Sequence, residues 1–427
     1  MTRRSDPGGP LPKDGTVVVV GASLAGLRAI QGLREEGFAG RLVLVGEEHH
    51  LPYDRPPLSK QVLSGQWAPE RTALIDEERL DGLGVEACLG HRAVALDADA
   101  ARIEIDDGTS IEADAVLLAT GARPRELPAS TGLAGVTVLR TLEDAAAIRA
   151  VLDQKGQSAH VVVVGAGFIG SEVAATCAGL GCRVTVVEAL DVPLAGALGR
   201  PVGAACGALH VRHGVDLRTG VSVQALEAPR SAGTGAVADT STTVALSDGT
   251  KLEADVVVVG IGVSPCSEWL ATSGLVVDGG VVCDAALYAA DRVAAAGDVA
   301  RWAWRRFGRE ELVRIEHWEL ASQMGSTAAR SLVAGRREAP AFTPVPYFWS
   351  DQYGLRIQML GRPGPDDQIE VVDGRLDADD GKFVVLYGYD GRLTAALAVS
   401  RPRQLMAFRP LLAAEAGWDE ALALLAT

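Results

Sequence analysis

Two copies of one structural plan run through this chain of 427 residues, and that duplication restricts the fold more than any other feature. The first copy opens on the apolar run Thr16-Val17-Val18-Val19-Val20, the pattern of a buried parallel strand. The turn Gly21-Ala22-Ser23-Leu24-Ala25-Gly26 follows, then a helical pattern with Leu27, Ile30 and Leu33 on one face, broken by Gly37 and Gly40. A second apolar run from Arg41 to Gly46 ends at Glu47. The second copy has Val161 to Val164, the turn Gly165-Ala166-Gly167-Phe168-Ile169-Gly170, a helix, the strand Arg183 to Val187, and Glu188. Each copy also carries an Asp-Gly-Thr turn leading into an apolar run: Asp107-Gly108-Thr109 before Ala115 to Thr120, and Asp248-Gly249-Thr250 before Val256 to Gly260. The glycine turns are 144 positions apart and the Asp-Gly-Thr turns 141, so a whole domain plan is duplicated.

Each part of the unit has a physical task. A glycine turn lets backbone N–H groups approach a pyrophosphate, and the following helix N-terminus favours its charge. An acid about 20 residues beyond the turn accepts from ribose hydroxyls. The second turn is a complete G-x-G-x-x-G; the first has Ser23 at the middle glycine, and a side chain that small still admits a phosphate. Two dinucleotide sites are expected. Glu188, with Asp191 behind it, would repel a 2′-phosphate, which favours NADH over NADPH at the second site.

Composition narrows the class. A chain that is 48% hydrophobic and 22% charged has ample core, and its length fits about three domains. The net charge of −15 and the absence of a long basic tract argue against a nucleic-acid partner. No apolar run approaches the ~20 residues of a membrane span, and the polar N-terminus has no signal-peptide core, so a soluble, cytoplasmic protein is expected. Six scattered cysteines without C-x-x-C spacing suggest buried reduced thiols and no metal site.

Within the first copy, after Glu47, lies Leu51-Pro52-Tyr53-Asp54-Arg55-Pro56-Pro57-Leu58-Ser59-Lys60, a proline-stiffened loop that is either a surface loop with solvated charges or a rigid arm presenting two cations to an electron-rich ligand. After the second copy, Gly297-Asp298 follows a strand-like run. Arg301-Trp302-Ala303-Trp304-Arg305-Arg306-Phe307-Gly308-Arg309 is basic and aromatic in an acidic chain: a docking surface for an acidic protein, or an inert solvated loop. Glu316-His317-Trp318 opens a helix running to Gly335, with the histidine expected as a structural hydrogen-bonder. Beyond Gly335 to Pro340, read as a domain boundary, Tyr347 to Tyr353 and Leu355 to Met359 read as strands. Turns at Asp373-Gly374, Asp380-Gly381 and Asp390-Gly391 suggest an antiparallel sheet, and Pro410 to Ala426 a closing helix.

These motifs together resemble the FAD- and NADH-dependent ferredoxin reductases of bacterial cytochrome P450 and aromatic-ring dioxygenase systems, the putidaredoxin reductase type. The resemblance rests on Pro52 through Lys60, Leu118-Ala119-Thr120-Gly121, Gly165 through Glu172, Gly297-Asp298, Glu316-His317-Trp318 and Phe348-Trp349-Ser350-Asp351-Gln352-Tyr353, and covers the chain apart from its N-terminal tail. It implies an α/β fold: two interleaved Rossmann-like, glutathione-reductase-like domains plus a C-terminal α+β domain with an antiparallel sheet. The expected division is a flexible tail (1–15), a discontinuous FAD domain (16–126 and 260–336), an NADH domain (127–259) and the C-terminal domain (337–427).

The resemblance further implies that Gly21, Ser23, Gly26 and Glu47 hold the ADP part of FAD, that Asp298 holds its ribityl and pyrophosphate region, and that Thr120, Gly121, Gly262 and Glu316 belong to the cofactor sites. Arg55 and Lys60 would lie beside the flavin, with Lys60 near N5, and Trp318 and Trp349 would edge the ring. Gly165, Gly167, Gly170 and Glu188 would grip NADH, and Glu172 would sit near the nicotinamide, paired with Lys60; Lys60 and Glu172 are the catalytic candidates. The implied partner is a separate iron–sulfur ferredoxin, [2Fe–2S] by preference, with Arg301, Arg305, Arg306 and Arg309 as its candidate landing patch. Two rivals share the architecture. An NADH oxidase, peroxidase or disulfide reductase needs a reactive cysteine at the flavin, and the stretch after Glu47 has none. A redox-signalling flavoprotein resembling apoptosis-inducing factor would be expected to carry an insertion and a presequence.

Overall fold

The computed structural model describes residues 8–424 except 129, 131 and 228–240. The chain divides into two compact units, the first comprising residues 8–54, 72–123 and 264–348, the second 55–71, 124–263 and 349–424.

In the first unit the sheet order is Tyr288–Ala290, Val293–Ala295, Ala115–Leu118, Thr16–Val20, Arg41–Gly46, Val85–Leu89. All neighbours are parallel except the outermost Tyr288–Ala290 pair. Its central strands are buried on both faces, which is why they read as unbroken Val and Leu. Helix Leu24–Glu35 packs on helix Trp318–Ala334. Small residues permit the approach: a Cβ on Gly325 would stand 2.3 Å from the Ala25 carbonyl oxygen, and one on Gly32 3.0 Å from the Ala329 Cβ.

The second unit repeats the plan in a parallel sheet ordered Asp216–Thr219, Arg183–Glu188, His160–Val164, Val256–Val259, Val136–Thr137. The duplication holds to the level of single bonds. Gly21 N–H donates to Val45 O at 2.8 Å, and Gly165 N–H to Val187 O at 2.7 Å. Thr16 N–H donates to the Asp114 carboxylate at 2.8 Å and His160 N–H to that of Asp255 at 2.8 Å. Each Asp-Gly-Thr segment turns an antiparallel hairpin, with the aspartate accepting from the threonine N–H at 2.8 Å (Asp107) or 2.9 Å (Asp248).

The same unit contains a five-stranded antiparallel sheet, Tyr347–Gln352, Leu355–Gly361, Arg392–Val399, Phe383–Tyr389, Gln368–Gly374; the unit boundary falls inside its first strand. Asp390 and Gly391, both at positive φ, make a two-residue hairpin turn in it.

Four expectations are corrected. The tail expected to be flexible through residue 15 is packed from Gly8 onward within the first unit: Leu11 N–H donates to Leu332 O, and Gly335 abuts Gly9 and Pro10; residues 1–7 lie outside the described part. The compact units divide at 348/349, beyond the boundary read at 335–340. Trp302 Nε1 and Trp304 Nε1 donate to the carbonyls of Phe342 and Pro344, tying that segment to the first unit. Residues 55–71 belong to the second unit, where Arg55 Nη1 donates to Arg140 O at 2.6 Å and Thr176 Oγ1 to Ser59 O at 2.7 Å. The closing helix is two short ones, Arg409–Ala413 and Trp418–Ala423, because Glu415 adopts a left-handed conformation (φ +54°) and Leu393 N–H takes the Ala416 carbonyl; a further short helix, Pro402–Ala407, precedes them, and 425 and 426 lie outside the described residues.

Candidate functional site

The glycine turn of the first unit is built for close approach. A Cβ on Gly26 would lie 2.0 Å from Gly21 O, and Gly21 itself (φ +121°) has Ala119 O at 2.1 Å from its would-be Cβ. Ser23 caps helix Leu24–Glu35 in extended conformation, and its hydroxyl makes no capping bond to that helix. Glu47, one residue past strand Arg41–Gly46, is exposed and paired with Arg92. Thr120 Oγ1 donates to Cys266 O at 2.8 Å, and Gly121 O accepts from Cys266 N–H at 3.0 Å. Asp298 follows Gly297 (φ +73°) at the end of strand Val293–Ala295, which neighbours Ala115–Leu118 and through it Thr16–Val20. Gly21, Glu47, Thr120 and Asp298 thus come off the carboxyl ends of four strands of one parallel sheet, where open α/β sheets place ligands. Glu316 pairs with Arg314, and Trp318 Nε1 donates to Asp54 Oδ1 at 2.6 Å.

His317 departs from expectation. Its Nδ1 is buried without a hydrogen-bond partner and its ring packs 5.0 Å from Phe348, so burial holds it down at about 4 as a neutral packing residue.

In the second unit a cavity of about 420 Å³ opens at the glycine turn, lined among others by Gly165, Gly167, Glu188, Leu190, Ile261 and Gly262. Gly167 and Gly262 leave the backbone bare toward open space: the nearest atom to a Gly167 Cβ would be 3.9 Å away, and nothing lies within 4 Å of one on Gly262. Gly170, by contrast, is required for packing, with Gly165 O 2.1 Å from its would-be Cβ. The Glu188 carboxylate accepts from Ala166 N–H at 2.7 Å and Leu190 N–H at 2.8 Å, which sets it at the edge of the turn. A dinucleotide fits these features: bare backbone for a pyrophosphate, an anchored acid for a ribose, and exposed Leu190 and Ile261 as an apolar surface. Neither Leu190 nor Ile261 was anticipated; as apolar residues just past a strand end they carried a signal. Asp191 does not reinforce Glu188 as expected. Arg200 binds it bidentately at 2.7 and 2.9 Å, and that hydrogen-bonded pairing holds the Asp191 carboxyl below its ordinary range.

The second unit also buries a carboxylate. Glu172, on helix Phe168–Gly179, is 3% exposed and accepts from Lys60 Nζ at 2.6 Å, Ser59 Oγ at 2.6 Å and Ser350 Oγ at 2.7 Å. Pro56–Ser59 forms one tight 3-10 turn that delivers Ser59 and Lys60 side by side. Three donors, one of them cationic, compensate the burial of the charge. Arg55 turns away to Arg140 O, and Trp349 is the residue before Ser350 on the same strand.

The arginine segment is a hairpin, Ala300–Arg306 with Arg309–Val313, not a solvated loop. Trp302, Trp304 and Arg306 face inward by strand alternation, and Arg306 donates to Thr343 O at 2.9 Å, which removes it from the proposed landing patch. Arg301 is paired with Asp278 and Arg305 with Glu310. The cysteines are all free; burial pushes the thiols of Cys177, Cys206 and Cys283 up to about 12, so these three are not nucleophiles. Among the described residues no group of three or more potential ligands could hold a metal ion, and no helix is long and apolar enough to cross a membrane.

Two nucleotide-binding units built on one plan, with a buried Lys–Glu pair in the second, define a two-dinucleotide oxidoreductase. Residues 15–325 match the pyridine nucleotide-disulphide oxidoreductase family and residues 347–424 the reductase C-terminal family; the chain belongs to the pyridine nucleotide-disulphide oxidoreductases. It is 38% identical over 402 residues to rhodocoxin reductase of Rhodococcus erythropolis, covering 94% of this chain and 90% of that one. It is 39% identical over 403 residues to the ferredoxin–NAD(+) reductase component of the anthranilate 1,2-dioxygenase system of Burkholderia cepacia, covering 93% and 94%. The fold superimposes on the reductase of a covalent putidaredoxin reductase–putidaredoxin complex with a TM-score of 0.85 at 32% identity, covering 94% and 93%.

Proposed function

We propose that this chain is a ferredoxin reductase that passes electrons from NADH through FAD to an iron–sulfur ferredoxin, [2Fe–2S] in type, feeding a cytochrome P450 or ring-hydroxylating oxygenase in the cytoplasm. The observation that carries this reading is likeness over almost the full chain to several ferredoxin–NAD(+) reductase components. FAD, when bound, would supply the redox chemistry that links a two-electron hydride donor to a one-electron acceptor.

The residues of the chain have distinct tasks in that reaction. Gly21, Ser23 and Gly26 admit the FAD pyrophosphate, Glu47 takes its ribose, and Asp298 its ribityl region, with Thr120, Gly121, Glu316, Trp318 and Trp349 completing the cofactor contacts. Gly165, Gly167, Gly170 and Gly262 admit the NADH pyrophosphate, and Glu188 accepts from the adenosine ribose, where a 2′-phosphate would meet a carboxylate. Lys60 serves the flavin ring, where its ammonium offsets arriving negative charge, and Glu172 holds Lys60 in place; Arg55, engaged with the Arg140 carbonyl, supports the turn that carries Lys60. Of the basic hairpin, Arg301, Arg305 and Arg309 remain as the docking candidates for an acidic ferredoxin; their pairing with Asp278 and Glu310 makes docking an exchange of ion-pair partners for Arg301 and Arg305.

The test is NADH-dependent cytochrome c reduction with and without a [2Fe–2S] ferredoxin. Strong dependence on the ferredoxin, weakened by raised salt and by Arg305→Glu with Arg309→Glu, is expected. Equal rates without ferredoxin contradict the proposal, and rates indifferent to the charge reversals contradict the docking site.

A further inference from the structure

Glu172 touches more than Lys60. Its Oε2 receives Lys60 and Ser59, while its Oε1 receives Ser350, whose hydroxyl is fully buried and 178 positions away in sequence. The direction of that hydroxyl is itself set. Gln352 Nε2 donates to Ser350 Oγ at 3.1 Å, so the serine oxygen accepts from the amide and spends its proton on the carboxylate. Gln352 is 1% exposed and its Oε1 has no partner, so the amide is committed through Nε2 to the serine.

The next residue of the same strand-and-turn grips the helix a second time. Tyr353 Oη lies 2.6 Å from His210 Nδ1, and His210 Nε2 lies 3.2 Å from Ser171 Oγ, the neighbour of Glu172. Tyr353 takes a left-handed φ of +53°, uncommon for an aromatic residue, and its ring stacks on His213 at 4.2 Å. Two consecutive helix residues, Ser171 and Glu172, are therefore held by two points of one hairpin of the C-terminal sheet.

We propose that Ser350, oriented by Gln352, is a positioning residue: it anchors one oxygen of Glu172 so that the other presents a fixed acceptor to Lys60, and through it the C-terminal sheet governs the reductive step. This rests on the function proposed above. Without the Ser350 hydroxyl Oε1 loses its donor, the carboxylate is held through Oε2 alone by Ser59 and Lys60, and the place of the Lys60 ammonium is less closely defined.

The test uses the flavin-loaded protein with Ser350→Cys and Ser350→Ala. Stopped-flow reduction by NADH should show a limiting rate falling in the order Ser, Cys, Ala, by about tenfold for Ala, the factor of one ordinary hydrogen bond, with NADH affinity held within about twofold. The second readout needs no turnover. In protein labelled with 13C-glutamate, the carboxylate stretch that disappears in Glu172→Gln should shift in the same order. An unchanged limiting rate, or a carboxylate band that does not move, overturns the proposal; if the alanine variant does not accumulate, the Ser–Cys pair decides on the same criteria. A wild-type flavin that NADH leaves oxidised contradicts the reductase reading instead, and the infrared band still decides the contact.

Discussion

Lys60 and Glu172, 112 positions apart, meet at 2.6 Å with side chains only 12% and 4% exposed. A charge pair so nearly removed from water is costly to break from one side, because the remaining charge keeps its burial and loses its partner. Lys60→Met should destabilise the protein by about 3 kcal/mol in urea unfolding and slow flavin reduction by NADH more than tenfold. The double variant Lys60→Met with Glu172→Gln should recover much of the stability and none of the rate. Recovery of both would assign the pair to the fold alone.

The cradle in the first unit makes a sharper demand. In Gly26→Ala the new methyl would stand 2.0 Å from Gly21 O, a backbone atom that cannot yield without reshaping the turn. Purified G26A should retain little or no flavin by its visible absorbance, while G37A, with φ +80° but nothing within 4 Å, should retain it fully at a cost of about 1 kcal/mol in stability. Full flavin content in G26A would contradict the placement of the cofactor at this turn.

These two sites differ in how far the sequence disclosed them. Both glycine turns and both Asp-Gly-Thr hairpins were legible because each is a local backbone requirement that only certain residues meet. The alternation of Trp302, Trp304 and Arg306 was also on the page, and it specified a strand with a buried arginine where basic composition suggested a surface. Ser350 gave no such signal: its value lies in meeting Glu172 across 178 positions, which no local pattern encodes, and that of Gln352 in orienting Ser350. The division into units, with residues 55–71 passing to the second, was hidden for the same reason.

Cofactor choice should follow from Glu188. Its carboxylate is anchored on the turn by Ala166 and Leu190, while the nearby Asp191 is already engaged by Arg200. Glu188→Ala should lower kcat/KM for NADH about tenfold, the loss of a hydrogen bond to a charged acceptor, and raise the NADPH-to-NADH ratio. Asp191→Ala, which also releases Arg200 for a phosphate, should add to that ratio. Steady-state kinetics with both nucleotides reads the outcome, and an unmoved ratio in the double variant would remove Glu188 from the specificity site.

Acid should loosen the fold through two histidines. Burial holds His210 at about 4, with His213 nearby adding to the depression, and burial alone does the same for His317; the ordinary value is 6.5. The unfolded chain therefore binds more protons between those limits, so this stability is fully present above about 6.5 and is lost as pH falls toward 4. The urea midpoint should drop between pH 7 and pH 5, and His317→Phe, which keeps the contact with Phe348 and removes the titrating ring, should flatten part of that slope. A midpoint independent of pH over this range would show both rings to be accessible to solvent protons in the folded state.

The most direct test of the central claim is a count of electrons. Under anaerobic conditions the purified flavoprotein should convert each NADH into two equivalents of reduced [2Fe–2S] ferredoxin, measured by the bleaching of the cluster, with one proton released. NADH consumed in air to hydrogen peroxide, with the ferredoxin left oxidised, would contradict the account and return the chain to the oxidase class.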